Sequence, residues 1–96
     1  MNHQRDEGFR LIHDIFRLKW IPEIIQTVGH DSQNYSDISR KIGEISNTEL
    51  NRKLALLIDR QVIEKREGTY ILSKFGKDLD HIFNHFLEMS QKYLHK

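Results

Sequence analysis

Between Ser46 and Arg52 the chain reads Ser-Asn-Thr-Glu-Leu-Asn-Arg. Asn47 and Asn51 carry carboxamides, which donate and accept through neighbouring atoms, the pattern an adenine edge presents in a DNA major groove. The forked guanidinium of Arg52 matches a guanine, and Thr48 offers a methyl for thymine or a hydroxyl for a phosphate. Ser46 precedes them as a helix cap. The same residue types are also ordinary solvated or capping residues at a helix start, so they leave both readings open.

Further cations flank this stretch. Between Arg40 and Lys77 there are nine Lys and Arg against five Asp and Glu, although the whole chain carries a net charge of only +1. A basic surface is therefore local, and the global field is too weak to attract nucleic acid by itself. Lys65, Arg66 and Thr69 lie around Glu67-Gly68, where they can follow phosphates, reach the minor groove or form a solvated hairpin; Ser36 and Arg40 are candidates for phosphate contacts further upstream.

His81 and His85 stand four apart, with Asp78 and Glu88 on the same helix face, a spacing that can place two imidazoles on one metal ion. Two histidines on a solvated helix are the commoner case, and no upstream residues complete a ligand set, so no metal is expected. The chain has no cysteine, which removes disulfides, thiolate metal sites and thiol nucleophiles. Without a glycine-rich phosphate loop or a Ser/His/Asp set in a strand-turn-helix context, no enzyme and no cofactor are expected.

The elements that must position these residues follow from periodicity and caps. Apolar residues recur at helical spacing from Phe9 to Leu18, on a stripe wide enough for contact on more than one side. A second helix opens near Trp20 and Ile21, with Pro22 in its first turn, and buries Ile21, Ile24, Ile25 and Val28. His30 to Asn34 reads as a loop with room for a short strand. A third, short helix runs from Ser36 or Asp37 to Ile42, and Gly43-Glu44-Ile45 turns the chain into a fourth. There Ser46 and Glu49 form the capping-box pattern, and the helix runs from about 46 to 61 with Leu50, Leu54, Leu57 and Ile58 on one stripe. Val62 to Leu72 folds back on itself around Glu67-Gly68 as a two-stranded wing. Ser73 then caps a long helix to about Leu94, with Leu79, Ile82, Phe83, Phe86 and Tyr93 on one face.

Ninety-six residues, 38% of them hydrophobic, make one domain spanning 1–96. No apolar run approaches the length of a membrane span, and the reading is of a cytoplasmic protein. The fold class expected is mainly α with a small β-hairpin, in the order of a winged helix-turn-helix. In that arrangement the short third helix braces the fourth, leaving the front of the fourth clear of the core and able to enter a major groove.

At this point the residues resemble the HxlR-type regulators, a branch of small winged-helix transcription factors related to the MarR group. Lys19-Trp20, Tyr35-Ser36-Asp37-Ile38, and Ile45-Ser46 followed by Leu50, Leu54 and Leu57 carry the likeness. Val62-Ile63-Glu64-Lys65, Tyr70-Ile71-Leu72-Ser73 and Gly76 with Leu79 continue it in register, so that it covers about Phe9 to Leu94. The resemblance implies a homodimer on double-stranded DNA at a pseudo-palindromic operator, joined through its first and last helices. Phe9, Ile12, Phe16, Ile82, Phe83, Phe86 and Tyr93 are then the expected dimer contacts. Two departures stand out: many such regulators carry a cysteine shortly before the first helix, and this chain has none; its wing is also shorter than the usual proline-containing loop.

Two other classes remain open on the sequence. One is a winged helix that binds protein instead of DNA, which the near-neutral charge and the apolar Leu56 on the outer side of the fourth helix would suit. The other is a ligand or metal sensor, with a small-molecule effector between the last helices of two subunits that nothing in the sequence requires.

Overall fold

Three helices of the chain start where a side chain takes up an orphaned backbone N–H. Ser46 Oγ accepts from the Glu49 N–H at 3.1 Å, Ser73 Oγ from the Gly76 N–H at 3.0 Å, and Asn34 Oδ1 from the Asp37 N–H at 2.8 Å. The structure is a computed structural model that describes residues 3–29 and 33–95. The side chains of His3, Gln4 and Phe16 lie outside it, so the dimer contact expected of Phe16 falls outside the described residues.

The elements run α1 (His3–Leu11), a π-helical turn (Ile12–Phe16), α2 (Ile21–Val28), β1 (Gln33–Asn34), α3 (Tyr35–Ile42), α4 (Asn47–Asp59), β2 (Ile63–Arg66), β3 (Thr69–Leu72) and α5 (Lys74–Leu94). This is the winged helix predicted, mainly helical with a small antiparallel sheet. Among the described residues no helix is long and apolar enough to cross a membrane.

The sheet has three strands in the order β1-β3-β2, the short strand for which the loop before α3 left room adding to the two of the wing. Gln33 pairs with Tyr70 and Asn34 with Thr69, so Asn34 is at once the end of a strand and the cap of α3. Gln33 is buried, and its Oε1 accepts from Lys41 Nζ at 3.2 Å, which compensates the desolvated amide. The turn at Glu67-Gly68 has positive φ at both residues, 51° and 81°, as the tightest hairpins require.

One core joins all the helices. Ile15, Ile21, Ile24, Ile25, Val28 and Ile38 meet Leu50, Leu54 and Leu57 of α4, with Val62, Ile63, Tyr70 and Leu72 from the wing and Leu79 and Phe83 from α5. Leu56, expected on the outer side of α4, is half-buried against this core, which weakens the apolar protein-docking surface it suggested. Ile58, expected on the inner stripe, is exposed. The first helix begins earlier than its apolar pattern and widens into the π turn, sending Ile15 inward and leaving Phe9 and Ile12 outside.

Helix α4 ends two residues before its expected limit, in a Schellman motif. The Val62 N–H donates to the Leu57 carbonyl at 2.8 Å and the Gln61 N–H to Ile58 at 3.0 Å, with Leu57 and Val62 both fully buried. The residue in the left-handed position is Gln61, φ 62°, where glycine is usual. Trp20, φ 77°, adopts the same region in front of α2, held by the bond from the Ile24 N–H to its carbonyl.

Candidate nucleic-acid interface

Helix α4 is divided along its length. Leu50, Leu54 and Leu57 are buried on one side, while Asn47, Thr48, Asn51 and Arg52 are exposed on the other. The exposed polar side expected from the pattern is therefore present, and it starts directly at the cap. Only half of the expected capping box forms: Glu49 turns its carboxylate to Lys53 Nζ at 3.5 Å and Arg52 at 3.9 Å instead of back to the Ser46 backbone.

What orients α4 is a junction with no local sequence signal. The Tyr35 hydroxyl donates to Asn47 Oδ1 at 3.2 Å and sits 3.3 Å from the Asn47 carbonyl oxygen, tying the start of α3 to the start of α4. Gly43 makes the turn between the two helices with φ 81° and ψ −56°, a conformation that a Cβ makes costly. One residue before Tyr35, Asn34 pairs with Thr69 beside the hairpin turn. Three groups of candidates thus converge on the Asn34-Tyr35 junction: the wing tip, the first turn of α3 with Ser36, and the front of α4. Asn34 and Tyr35 hold this junction and were not among the candidates read from the sequence; Tyr35 stood within a family-like motif, but its partner twelve residues on could not be read from it.

The wing places Lys65 and Arg66 in the open, with Thr69 half-buried. Lys65 Nζ lies 5.5 Å from the centre of the Tyr70 ring, and Thr69 Oγ1 donates to the Arg66 carbonyl at 2.9 Å, closing the turn. Glu67-Gly68 is all that separates the strands, so the wing is short, as expected.

The electrostatics differ from the simple basic patch that composition suggested. Arg40 bonds Asp37 at 2.6 Å, Arg66 meets Glu64 at 2.8 Å, and Arg52 stands near Glu49. Each of these guanidiniums is mostly exposed, and such pairs contribute only about 0–1 kcal/mol, so a phosphate can displace the carboxylate. The surface is nonetheless less positive than a count of cations implies. The structure gives no support to a metal at His81 and His85: among the described residues no three His, Cys, Asp or Glu are placed to hold an ion, and His85 Nδ1 faces Glu88 at 3.8 Å.

A separate face of the molecule is apolar. Helices α1 and α5 border a groove of about 480 Å³ lined by Gly8, Leu11, Ile12, Leu79, Ile82 and Phe86. Ile12 is 51% exposed, Phe86 54% and Tyr93 59%, with Phe9 and Ile82 also open. Phe83 is a correction. It is 4% exposed and belongs to the core, because the rotation of α5 on α2, marked by the bond from Gln26 Nε2 to Asn84 Oδ1 at 3.0 Å, turns it inward.

Solved structures share this architecture. A structure assigned to the MarR family of transcriptional regulators, from Porphyromonas gingivalis W83, matches with a TM-score of 0.81 at 23% identity, over 88% of this chain and 90% of that one. Quinone-bound YodB from B. subtilis gives 0.81 at 18% identity, over 90% and 97%. A structure assigned to the HxlR family, from Thermoplasma volcanium GSS1, gives 0.77 at 28% identity, over 88% and 83%. No curated protein matches the sequence. The model of the HxlR-like helix-turn-helix family matches residues 15–96, from the inward-facing Ile15 through the whole of the winged helix. The chain accordingly belongs to the HxlR-like helix-turn-helix family of transcriptional regulators.

Proposed function

We propose that this protein is a sequence-specific DNA-binding regulator of transcription, working in the cytoplasm as a homodimer on a pseudo-palindromic operator. The observation that carries the reading is the convergence at Asn34-Tyr35, which holds the exposed front of α4, the first turn of α3 and the wing tip together. Asn47, Thr48, Asn51 and Arg52 would read bases from the major groove, while Ser36, Arg40, Ser46, Lys65, Arg66 and Thr69 would hold phosphates. The apolar groove between α1 and α5, with Phe9, Ile12, Ile82, Phe86 and Tyr93 open around it, supports a second copy as its cover, since an uncovered apolar patch is costly in water. In such a pair two α4 helices about 34 Å apart enter successive major grooves.

Selection of bound sequences from a random duplex pool tests this. An enriched inverted repeat supports the reading, and a log-log plot of affinity against salt then falls steeply because phosphate contacts release counterions. A protein that enriches no duplex, or one whose affinity is indifferent to salt, refutes it.

A further inference from the structure

We propose that Tyr35 decides which bases Asn47 can read, by engaging the acceptor half of its carboxamide; the assignment rests on the DNA-binding reading above. Tyr35 Oη lies 3.2 Å from Asn47 Oδ1 and 3.3 Å from the carbonyl oxygen of the same residue. Two acceptors face one phenol, so the hydroxyl acts as the donor, and Oδ1 is folded back towards the backbone of its own helix. The phenol is held in place from two sides. Its ring packs against the core, and its backbone follows Asn34, which is fixed by strand pairing to Thr69 and by the cap to Asp37.

An asparagine recognises adenine by presenting Oδ1 and Nδ2 side by side, one accepting from N6 and the other donating to N7. With Oδ1 turned to α3 and one of its lone pairs engaged there, Asn47 favours its two amide N–H donors towards the groove. Those suit base edges that accept, O6 and N7 of guanine or O4 of thymine, better than adenine, whose N7 acceptor stands beside the N6 donor. Asn51, one turn further along and exposed, has no such tie among the described residues and keeps the two-atom pattern for adenine. The two asparagines of α4, alike in sequence, therefore read different bases, and the hydroxyl of Tyr35 makes the difference.

The experiment compares the half-site selected by the wild type, Tyr35→Phe and Asn47→Ala from a random duplex pool. Asn47→Ala identifies the position by flattening it. There the wild type selects guanine or thymine. Tyr35→Phe keeps the ring and removes only the hydroxyl; it should shift that position towards adenine by about two- to tenfold in relative affinity, the range of one neutral hydrogen bond. An adenine already selected there by the wild type overturns the assignment, whatever the variant does. So does a base preference that stays the same in a folded Tyr35→Phe protein. A wild type that selects no inverted repeat is a different result: it removes the DNA-binding reading itself.

Discussion

Adding one methyl group at Gly76 should unseat the last helix. A Cβ built there would lie 2.2 Å from the Val62 carbonyl oxygen and 3.1 Å from Leu72 Cδ2. Comfortable contact needs about 3.5 Å, so helix and strand must part by more than about 1 Å. The Val62 oxygen cannot retreat freely, because it accepts from the Ser73 N–H at 3.0 Å and from Ser73 Oγ at 2.9 Å, and the same Oγ caps the Gly76 N–H. Overpacking of this kind costs about 1–3 kcal/mol and a lost cap about 1 kcal/mol. Alanine returns about 1 kcal/mol of helix propensity, which leaves a net loss near 3 kcal/mol at the upper end of the overpacking range. For a domain of this size each kcal/mol lowers Tm by about 4–8 °C, so Gly76→Ala should melt more than about 10 °C below the wild type. Thermal unfolding followed by far-UV circular dichroism, both proteins at the same concentration because dimerisation would shift Tm, measures this. A Gly76→Ala protein melting within about 2 °C of the wild type refutes the close-approach reasoning.

Gln61→Gly should stabilise the domain by up to about 1 kcal/mol, since the left-handed position costs a residue with a Cβ about 1–2 kcal/mol and glycine's larger unfolded entropy returns part of it; urea unfolding reads the gain as a raised midpoint with an unchanged slope. Glu67→Asn should also stabilise, by up to about 1 kcal/mol, because asparagine tolerates the positive φ that Glu67 adopts in the hairpin; an unchanged midpoint would count against strain at that residue. Ile82→Glu should weaken self-association about 100-fold or more by placing a charge in the apolar groove, giving a monomer in sedimentation velocity at concentrations where the wild type should sediment as a dimer. Arg52→Ala should cost about 1–3 kcal/mol at one base position, whereas Lys65→Ala should weaken all duplexes alike and reduce the salt slope by about 1, both measured by fluorescence anisotropy.

Local rules explain what could be read in advance. Ser46 and Ser73 cap where their types and positions said they would, and Glu67-Gly68 closes the hairpin at the expected register. The division of α4 into a buried and an open side follows from leucines spaced three and four apart. Features set by distant partners were illegible. A two-residue strand such as β1 has no pattern of its own, so its segment read as a loop with room for a strand, and its pairing exists because β3 offers an edge. Phe83 and Phe86 are both on the apolar stripe of α5, and only its rotation against α2 decides that one is core and the other surface. Gln61 in place of glycine hid the end of α4. At the candidate site the side-chain types and spacings were visible, but the bond from Tyr35 to Asn47 spans two elements and the turn between them.

Ser73 donates to the carbonyls of Gln61 and Val62, the two residues where α4 has just ended and the wing is about to begin, while the other end of α5 runs out through Phe86 to Tyr93. One stiff rod of 21 residues is thereby bolted at its root to the part that would touch DNA and lies at its far end along the surface where two copies would meet. The helix runs unbroken between them. In a dimer so built, a tilt of one rod against the other swings the reading heads through an arc, and the distance between them becomes a gear ratio set by helix length.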